Sequence, residues 1–512
     1  MIERLQASYE AVPYLSRPFP ETHPSRLAVF GTLFGMTPAP VHRCRVLELG
    51  CAGGGNLIPM GVNLPDSDFT GIDLSAGHVA AGRQTIEALG LTNIALEQMD
   101  IVDFPPDAGR FDYIIAHGVY SWVPAAVQEK LLSICKDHLA PQGIAYVSHN
   151  VFPGWHARGL ARELMLFHTR QTGDPQARAR EALAVLAFAS NVTAFEKSVH
   201  GDLIKSEWER LRHHPSYLLL HDELGLVNQP SYFHEFMERA AQHGLQFLTD
   251  AESGRAADQH VPREVLAAVE QWAADTVSKE QYFDFLCNRA FRRTLLCHRE
   301  VSLHATPMPE KLAGLYVASE AHFISEAPDL TSPRAESFAK RGRVTASTGH
   351  PLSKAAIACL AELWPKAIAF ADLRQAAQAR LDANGEPPKD PAVYVHDTQA
   401  LAVNLFQAFT ARLVELHAQT PQFATAPGLT PRASRYARWQ AAHGSYVTNQ
   451  RHEFLPLDEN LRLLLAHLDG AHNREALLTS LGEKAPAIEQ PVSLHTLDSL
   501  LQRLGHAALL VE

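Results

Sequence analysis

Val46-Leu-Glu-Leu-Gly-Cys-Ala-Gly-Gly-Gly-Asn56 is the stretch of sequence that decides the fold. A short apolar run leads into a turn built of small residues. Glycines let the backbone approach a ligand closely and expose N–H groups at the start of a helix. The turn lacks the G-x-G-x-x-G spacing of enzymes that bind NAD. The pattern therefore predicts a strand that ends at a ligand-binding turn.

Further apolar runs alternate with helical patterns between residues 45 and 150. The predicted strands are Arg45–Leu49, Phe69–Leu74, Ile94–Gln98, Phe111–His117 and Gly143–His149. This rhythm is typical of βαβ units and predicts an α/β fold with a Rossmann-like, mostly parallel sheet. Ligands of such sheets bind beyond the carboxyl ends of the strands. We therefore expect the chemistry in the loops that follow these strands.

Three carboxylates stand close to those strand ends. Glu48 lies at the end of the first strand, Asp73 ends the second, and Asp100 follows the third. From there Asp73 can accept hydrogen bonds from both hydroxyls of a ribose, and Asp100 can accept one from an adenine amino group. Three such signals indicate a nucleoside-type ligand more specifically than a glycine turn alone.

Composition and charge exclude several classes of protein. The chain has 512 residues, 46 % of them hydrophobic, and a formal net charge of −11. This is an ordinary globular composition, and the acidic balance argues against wholesale binding to nucleic acid. No apolar run reaches the roughly 18 residues of a membrane span, and the N-terminus lacks the apolar core of a secretory signal. Scattered cysteines and the absence of zinc-ligand spacing predict a cytoplasmic protein without a bound metal.

The rest of the chain is mostly helical in pattern. We predict four domains: residues 1–165 for the ligand, 166–300 as a helical insertion able to supply late strands to the sheet, 301–425 as a helical middle domain, and 426–512 as a winged-helix-like domain. The late strands are predicted at Gly244–Leu248 and Arg293–His298, and an irregular linker at 305–345. The last domain lacks clustered Lys or Arg on its second helix, which favours packing or partner docking over DNA binding.

The glycine turn resembles the first motif of the class I S-adenosylmethionine-dependent methyltransferases, E-x-G-x-G-x-G, with Ala52 in place of the middle glycine. The resemblance implies S-adenosylmethionine as the cofactor, with Asp73 on the ribose and Asp100 on the adenine. The predicted cofactor residues are Glu48, Gly50, Cys51, Gly54, Asn56, Asp73, Leu74, Asp100, Ile101 and His117.

Other segments resemble bacterial proteins that join such a methyltransferase to a methyltransferase regulatory domain. They are Tyr9–Tyr14, Pro18–Pro20, His117–Pro124, Asn150–Trp155, Tyr217–Asp222, Pro230–Phe236, Gln281–Phe285 and Arg292–His298. Some relatives with this layout methylate lysines of bacterial outer-membrane proteins, and the resemblance also suggests a homodimer. A lysine-bearing outer-membrane protein is therefore the implied partner.

The loop after the fourth strand lies where a methyl acceptor is expected to enter. We predict His117, Tyr120 and Asn150 as catalytic groups, against the alternative that His117 is an ordinary histidine at a strand end. The predicted acceptor-binding residues are Tyr9, Tyr14, Trp122, His149 and Trp155. The alternative for the two tryptophans is ordinary core or lid packing, and for the two tyrosines it is a mobile arm that packs outside the sheet. Arg289, Arg292, Arg293 and Arg299 form either an exposed charged face, the usual case, or a docking site for an acidic partner.

Three functions are compatible with these observations. The leading hypothesis is a methyltransferase that acts on lysine side chains of a protein. The second is methylation of a hydroxyl or amine of a small molecule, which would leave about 200 C-terminal residues without an evident use. The third is a scaffold or regulatory protein that binds the cofactor without turnover.

Overall fold

The computed structural model describes residues 10–12, 14–193, 198–252, 261–340, 345–383, 391–484 and 493–511. Its strands β1–β7 are Arg45–Leu49, Asp68–Asp73, Ile94–Gln98, Phe111–Ala116, Leu139–Asn150, Leu245–Asp250 and Phe291–His298. They form one sheet in the order β3-β2-β1-β4-β5-β7-β6. Strands β1 to β5 pair in parallel, whereas β7 runs antiparallel to both β5 and β6. The predicted Rossmann-like, mostly parallel sheet is confirmed.

Helices cover both faces of this sheet and continue beyond it. Helices α1–α10 are Pro24–Leu33, Leu57–Asn63, Ala76–Ala88, Ala125–His138, Gly154–His168, Pro175–Thr193, Val199–Leu211, Phe233–Gln242, Arg263–Trp272 and Thr276–Cys287. A short helical turn, Ser216–Leu218, leads into a π-helical turn, Leu219–Glu223, between α7 and α8. None of the helices within the described ranges is both long and apolar enough to cross a membrane.

Alternating residues of the strands supply two separate cores. In β1, Val46 belongs to one buried cluster and Leu47 and Leu49 to the other, because successive side chains of a strand point to opposite faces. The first cluster also contains residues of α1. There Phe30 packs against Phe409 with ring centroids 5.9 Å apart, so the middle of the chain shares a core with the sheet.

The middle of the chain contains more strands than its sequence predicted. Strands β8–β13 are Tyr316–Ala318, His322–Phe323, Glu336–Ala339, Thr345–Thr348, Ile368–Ala369 and Glu415–His417. They form two small sheets next to α11–α13, which are Pro351–Leu363, Phe370–Ala383 and Pro391–Thr410. The prediction of an irregular segment at 305–345 was wrong, since this segment contains strands. Strands of two to four residues are too short for an alternating pattern of apolar and polar residues to be recognised.

The C-terminal part is a compact helical unit with one hairpin. Helices α14–α17 are Arg435–His443, Glu459–Ala466, Arg474–Lys484 and Leu494–His506, and the hairpin pairs β14, Tyr446–Thr448, with β15, Phe454–Pro456. The leucines at helical spacing in α15 and α17 are buried in a common core, as the sequence pattern predicted. Nη1 of Arg435 donates to the carbonyl of Leu89, at the end of α3, at 2.9 Å, which places this unit against the domain of the seven-stranded sheet.

Arg289 and Arg292 of the predicted arginine cluster are buried, Arg293 is half-buried and Arg299 is exposed. The interpretation as an exposed charged face was therefore wrong for the first two. Arg292 is 0 % exposed and forms paired hydrogen bonds of 2.8 and 2.9 Å with Asp284, which is also 0 % exposed. Arg289 reaches the same carboxylate at 3.1 Å. Because a buried charge needs an opposite partner, these pairs fix α10 against β7.

Candidate active site

The glycine turn after β1 has the backbone that its sequence requires. Gly50 and Gly54 have φ values of +76° and +71°, a region that favours glycine. Ala52 also has a positive φ, +48°, which for a residue with a Cβ costs roughly 1–2 kcal/mol. The N–H groups of Gly50 and Cys51 donate to the Ile72 carbonyl at 2.8 and 3.0 Å. The turn is thereby fixed to the end of β2.

Glu48 presents an open acceptor to the space above this turn. Its side chain is 3 % exposed, and Nδ2 of Asn56 donates to its Oε1 at 2.8 Å. Its Oε2 is buried and has no hydrogen-bond partner among the described residues. Burial raises the pKa of the Glu48 carboxyl to about 8, partly countered by the Asn56 hydrogen bond. An incoming cation or hydroxyl group would satisfy this oxygen.

The two other predicted carboxylates are held in place by backbone N–H groups. Asp73 accepts from the N–H of Ala52 at 2.8 Å on one oxygen and from that of Ser75 at 2.9 Å on the other. Asp100 accepts from the N–H of Val102 at 3.1 Å. Each carboxylate oxygen can accept a further hydrogen bond, so both side chains remain able to bind ligand hydroxyl or amino groups.

A cavity of about 210 Å³ connects these groups. Of the predicted cofactor residues, Glu48, Gly50, Cys51, Asn56, Asp73, Leu74, Asp100, Ile101 and His117 line it. Gly54 does not line it, and a Cβ at this position would approach Leu96 and Ile58 instead. Of the predicted acceptor residues, Tyr14 and Trp122 line the same cavity. The structure therefore brings most of the predicted set together.

His117 lies in the cavity wall as a neutral base. Its Nδ1 is 3.0 Å from the hydroxyl of Tyr146, and its ring packs on Phe19 at a centroid distance of 3.8 Å. Burial lowers the pKa of His117 to about 4. The ring is uncharged at neutral pH and does not repel a cationic ligand.

Tyr120, His149 and Asn150 do not line the cavity. Tyr120 packs edge-on against Phe236, and the His149 ring stacks on the same phenylalanine at 4.1 Å. Burial lowers the pKa of His149 to about 3, and its Nε2 lies 3.1 Å from the hydroxyl of Thr294. The side chain of Asn150 donates to Asn228 at 2.9 Å. In this arrangement Tyr120 joins the loop after β4 to the helical insertion, and His149 and Asn150 join β5 to it.

Of the predicted aromatic residues, Tyr14 and Trp122 line the cavity, whereas Trp155 does not. Trp155 is 4 % exposed and packs behind Trp122, edge to face, with ring centroids 6.2 Å apart. Tyr14 packs edge-on against Tyr217 of the helical insertion at 5.8 Å. Tyr9 lies outside the described residues.

Sequence reasoning missed two groups that complete the cavity. Ser16, Arg17 and Phe19 contribute from the N-terminal segment, and the Ser16 hydroxyl accepts from the N–H of Gly55 at 2.7 Å. His221 and Asp222 contribute from the π-helical turn. The resemblance had marked the segments around them but had assigned these side chains no role.

Asp222 is the more informative of the two residues on the π-helical turn. Burial and the neighbouring Glu223 raise the pKa of its carboxyl to about 7, and Arg17 partly opposes them. π-Helical turns occur frequently at functional sites. A carboxyl with this pKa can exchange a proton near neutrality.

A contact from the far end of the chain supports the glycine turn. Nε2 of His452, in the β14–β15 hairpin, lies 2.8 Å from Oδ1 of Asn56. Asn56 is the residue that hydrogen-bonds Glu48. The winged-helix-like unit therefore reaches the residue that positions a cavity-lining carboxyl.

Comparison with known proteins identifies the chain. The family model "Methyltransferase domain" matches residues 46–143, "Predicted methyltransferase regulatory domain" matches 215–298, and "PKMT, C-terminal winged helix domain" matches 430–501. Uncharacterized protein RP789 of Rickettsia prowazekii is 31 % identical over 484 residues, which cover 92 % of this chain and 85 % of that protein. The chain belongs to this methyltransferase family. A second protein of that organism, RP028, is 33 % identical over 241 residues, covering 47 % of this methyltransferase and 96 % of the relative.

Solved structures agree with this membership. PKMT2 from Rickettsia typhi is 27 % identical to this methyltransferase, with a TM-score of 0.85 over 98 % of this chain and 100 % of that one. A second structure of the same protein, in complex with AdoHcy, gives the same values. The chain is therefore an S-adenosylmethionine-dependent methyltransferase with a C-terminal winged helix.

The cavity fits that cofactor chemically. Oε2 of Glu48 and Nε2 of His78 are buried without hydrogen-bond partners among the described residues, and both side chains line the cavity. Carboxylates near three strand ends match the ammonium, hydroxyl and amino groups that S-adenosylmethionine presents. In the described part of the chain, no group of three or more His, Cys, Asp and Glu side chains could hold a metal ion.

Proposed function

We propose that this methyltransferase transfers methyl groups to lysine side chains of a protein. The observation that carries the proposal is the cavity wall in which Tyr14 and Trp122 stand with Asp222. Aromatic faces attract alkylammonium groups, and a carboxyl can accept their proton. The match to a PKMT winged helix and the similarity to PKMT2, a protein lysine methyltransferase, support the same acceptor.

Three segments distant in sequence converge on this wall. The ring of Tyr14 lies 5.7 Å from that of His221, next to Asp222 in sequence. Trp122, from the loop after β4, packs beside Gly225, three residues beyond Asp222: a Cβ on this glycine would lie 3.5 Å from the indole. An acceptor side chain reaching this wall would contact the N-terminal segment, the β4 loop and the helical insertion together.

The cofactor role of the strand-end residues is part of this proposal. Asp73 accepts from the ribose hydroxyls and Asp100 from the adenine amino group, while Glu48 faces the amino-acid end. Bound there, S-adenosylmethionine supplies an electrophilic methyl group. Alignment of the acceptor with that group can account for roughly 7–11 kcal/mol of the barrier.

A lysine must lose its proton before it can act as a nucleophile. Its ordinary pKa is about 10.4, so the site has to favour the neutral amine. Asp222, whose pKa is raised to about 7, is the group we assign to receive that proton. His117 is neutral and adds no positive charge that would oppose the approach of the ammonium.

We extend the proposal to the wider setting, as the family resemblance implies it. The enzyme works in the cytoplasm, possesses no bound metal, acts as a homodimer, and modifies lysine-bearing segments of outer-membrane proteins. The net charge of −11 suits such a partner. Residues 1–165 form the cofactor domain, 166–300 the regulatory insertion, 301–425 the middle domain and 426–512 the docking domain.

Methyl-labelled S-adenosylmethionine tests the acceptor directly. The purified enzyme is incubated with a cell-envelope extract, and labelled peptides are identified by mass spectrometry. Label on lysines is expected. Loss of this label in Asp222→Asn, but not in the exposed control Asp202→Asn, supports the assignment of Asp222 to the acceptor-binding wall. Label confined to small molecules would contradict the protein acceptor, and no label with intact cofactor binding would indicate a protein without turnover.

A further inference from the structure

A second and larger cavity, of about 910 Å³, lies outside the cofactor site. Its walls come from α1, from the chain around β13, and from α14 with the β14–β15 hairpin. Its volume falls in the upper part of the range of about 300–1,000 Å³ that is usual for small-molecule sites. Nothing in the methyl-transfer chemistry uses it.

The side chains that line this cavity have an excess of positive charge. The cationic residues are Arg26, Lys366, Arg432, Arg435, Arg438 and Arg451, and the carboxylates are Glu415, Glu453 and Asp469. Arg451 contacts two of the carboxylates, with Nη2 at 2.8 Å from Glu415 and 3.2 Å from Glu453. The third, Asp469, pairs with His472 at 2.9 Å. Because six cationic side chains and three carboxylates line the cavity, its wall has a formal excess of three positive charges, which suits an anion.

Two buried polar atoms indicate which hydrogen-bonding groups the anionic ligand has to possess. Nε of Arg438 is a donor and Oε1 of Gln419 is an acceptor, and both atoms are buried without partners among the described residues. A buried polar atom without a hydrogen-bond partner destabilises the folded protein, so a ligand group that pairs with it is favoured. An anionic group satisfies the arginine, whereas the glutamine oxygen requires a donor such as a hydroxyl.

His452 adds a second unsatisfied acceptor. It is 3 % exposed and its ring packs on that of His23 at 5.2 Å. Oδ1 of Asn56 also accepts from the N–H of Phe19, so the oxygen is an acceptor and Nε2 of His452 carries the hydrogen. Nδ1 is then a bare acceptor, buried without a partner among the described residues. It likewise calls for a hydroxyl donor.

We propose that this cavity is a binding site for a phosphate ester of a hydroxylated small molecule, such as a sugar phosphate. The phosphate lies on Arg438 and Arg26, which approach from the C-terminal part and from α1. The hydroxyls donate to Gln419 and His452. The site does not depend on which acceptor the enzyme methylates.

The test uses the full chain saturated with S-adenosylhomocysteine, so that the cofactor cavity is occupied. Ribose 5-phosphate, inorganic phosphate and ribose are titrated separately by isothermal calorimetry. Ribose 5-phosphate is expected to bind saturably and more tightly than inorganic phosphate, and ribose is expected to show no binding. Binding of ribose 5-phosphate no tighter than that of ribose would overturn the proposal.

Variants locate the binding. Arg438→Gln is expected to weaken ribose 5-phosphate roughly 10- to 100-fold, the effect of a lost charge-assisted hydrogen bond of about 1.5–3 kcal/mol. Arg503→Gln, on the same unit but not in the cavity wall, is expected to bind as the wild type does. Arg26→Gln, in the part of the lining that α1 supplies, repeats the test if Arg438→Gln does not fold. Unchanged affinity in a folded Arg438 or Arg26 variant would refute the site.

Discussion

Nε2 of His452 lies 2.8 Å from Oδ1 of Asn56, although 396 residues separate them in the chain. Asn56 in turn donates to Glu48 at 2.8 Å. Two hydrogen bonds thus connect the hairpin of the winged helix with a carboxyl in the cofactor cavity. The C-terminal unit of this methyltransferase is part of the support of its cofactor site.

Replacing His452 by alanine is expected to weaken cofactor binding. The change removes one hydrogen bond from a buried amide, typically worth about 0.5–1.5 kcal/mol, so the Kd of S-adenosylhomocysteine should rise roughly 2- to 13-fold. Calorimetry provides the measurement. His495→Ala, an exposed histidine of the same unit, is the control. Equal affinities for both variants would mean that the contact does not support the site.

Asp73→Ala is expected to abolish the thermal stabilisation of the enzyme by S-adenosylhomocysteine. The carboxylate stands at the end of β2 in the cavity wall, where it is assigned to the ribose. Each hydrogen bond to a charged group is worth about 1.5–3 kcal/mol, so the loss of these bonds should raise the Kd of S-adenosylhomocysteine at least 10-fold. Asp68→Ala, at the exposed beginning of the same strand, should retain the wild-type shift in Tm. A normal shift in Asp73→Ala would remove this residue from the ribose role.

Glu48→Gln is expected to change how stability depends on pH. The folded-state pKa of Glu48 is raised to about 8 from an ordinary value of 4.5. Its contribution to stability is therefore complete below pH 4.5 and is lost as the pH rises towards 8. The free Glu48→Gln enzyme should gain stability relative to the wild type across that interval.

Thermal unfolding without cofactor, measured between about pH 5 and pH 8, the interval between the ordinary and the raised pKa of Glu48, checks this expectation. The buried histidines with lowered pKa values are common to both proteins, so their effect cancels in the difference. Glu97→Gln, exposed on β3, is the matched control. A difference between Glu48→Gln and wild type that stays constant with pH would contradict the raised pKa.

Asp222→Asn is expected to slow methyl transfer without loss of cofactor binding. A general base contributes roughly 10²- to 10⁴-fold to rate, and an asparagine cannot take up a proton. The wild-type rate should fall as the pH drops below the Asp222 pKa of about 7. The pH–rate profile of the variant should not show this fall. Rates of label transfer across pH provide the readout. A variant with the wild-type rate and profile would exclude Asp222 from proton transfer.

The cofactor half of the site could be predicted because its signals are local. Around Glu48 and Asp73, the strand ends, the glycine turn and the carboxylates lie within a few residues of one another in the sequence. Because parallel strands end at the same edge of a sheet, their carboxylates come together there. The late strands β6 and β7 were also recognisable as apolar runs, at Gly244–Leu248 and Arg293–His298.

The remainder depends on contacts that no local pattern records. The sequence favoured a surface position for Arg292 because charged residues are usually exposed. Its burial depends on the pairing with Asp284 in the folded chain, which no local pattern shows. Tyr120 follows a strand end, as His117 does, yet its ring turns into the core against Phe236. Asp222 and His452 reach the site through packing of distant units, which composition and periodicity do not determine.

The contact between Ser16 and Gly55 has a practical consequence for protein engineering. The cavity is lined in part by residues between Tyr14 and Phe19 and by the π-helical turn, and the β14–β15 hairpin supports it through Asn56. Residues 46–143 alone would be a Rossmann sheet with its ligand groove open to water on several sides. The modular appearance of the sequence is therefore misleading: transplanting this catalytic segment into another scaffold would transfer the cofactor motif without the chamber that encloses it.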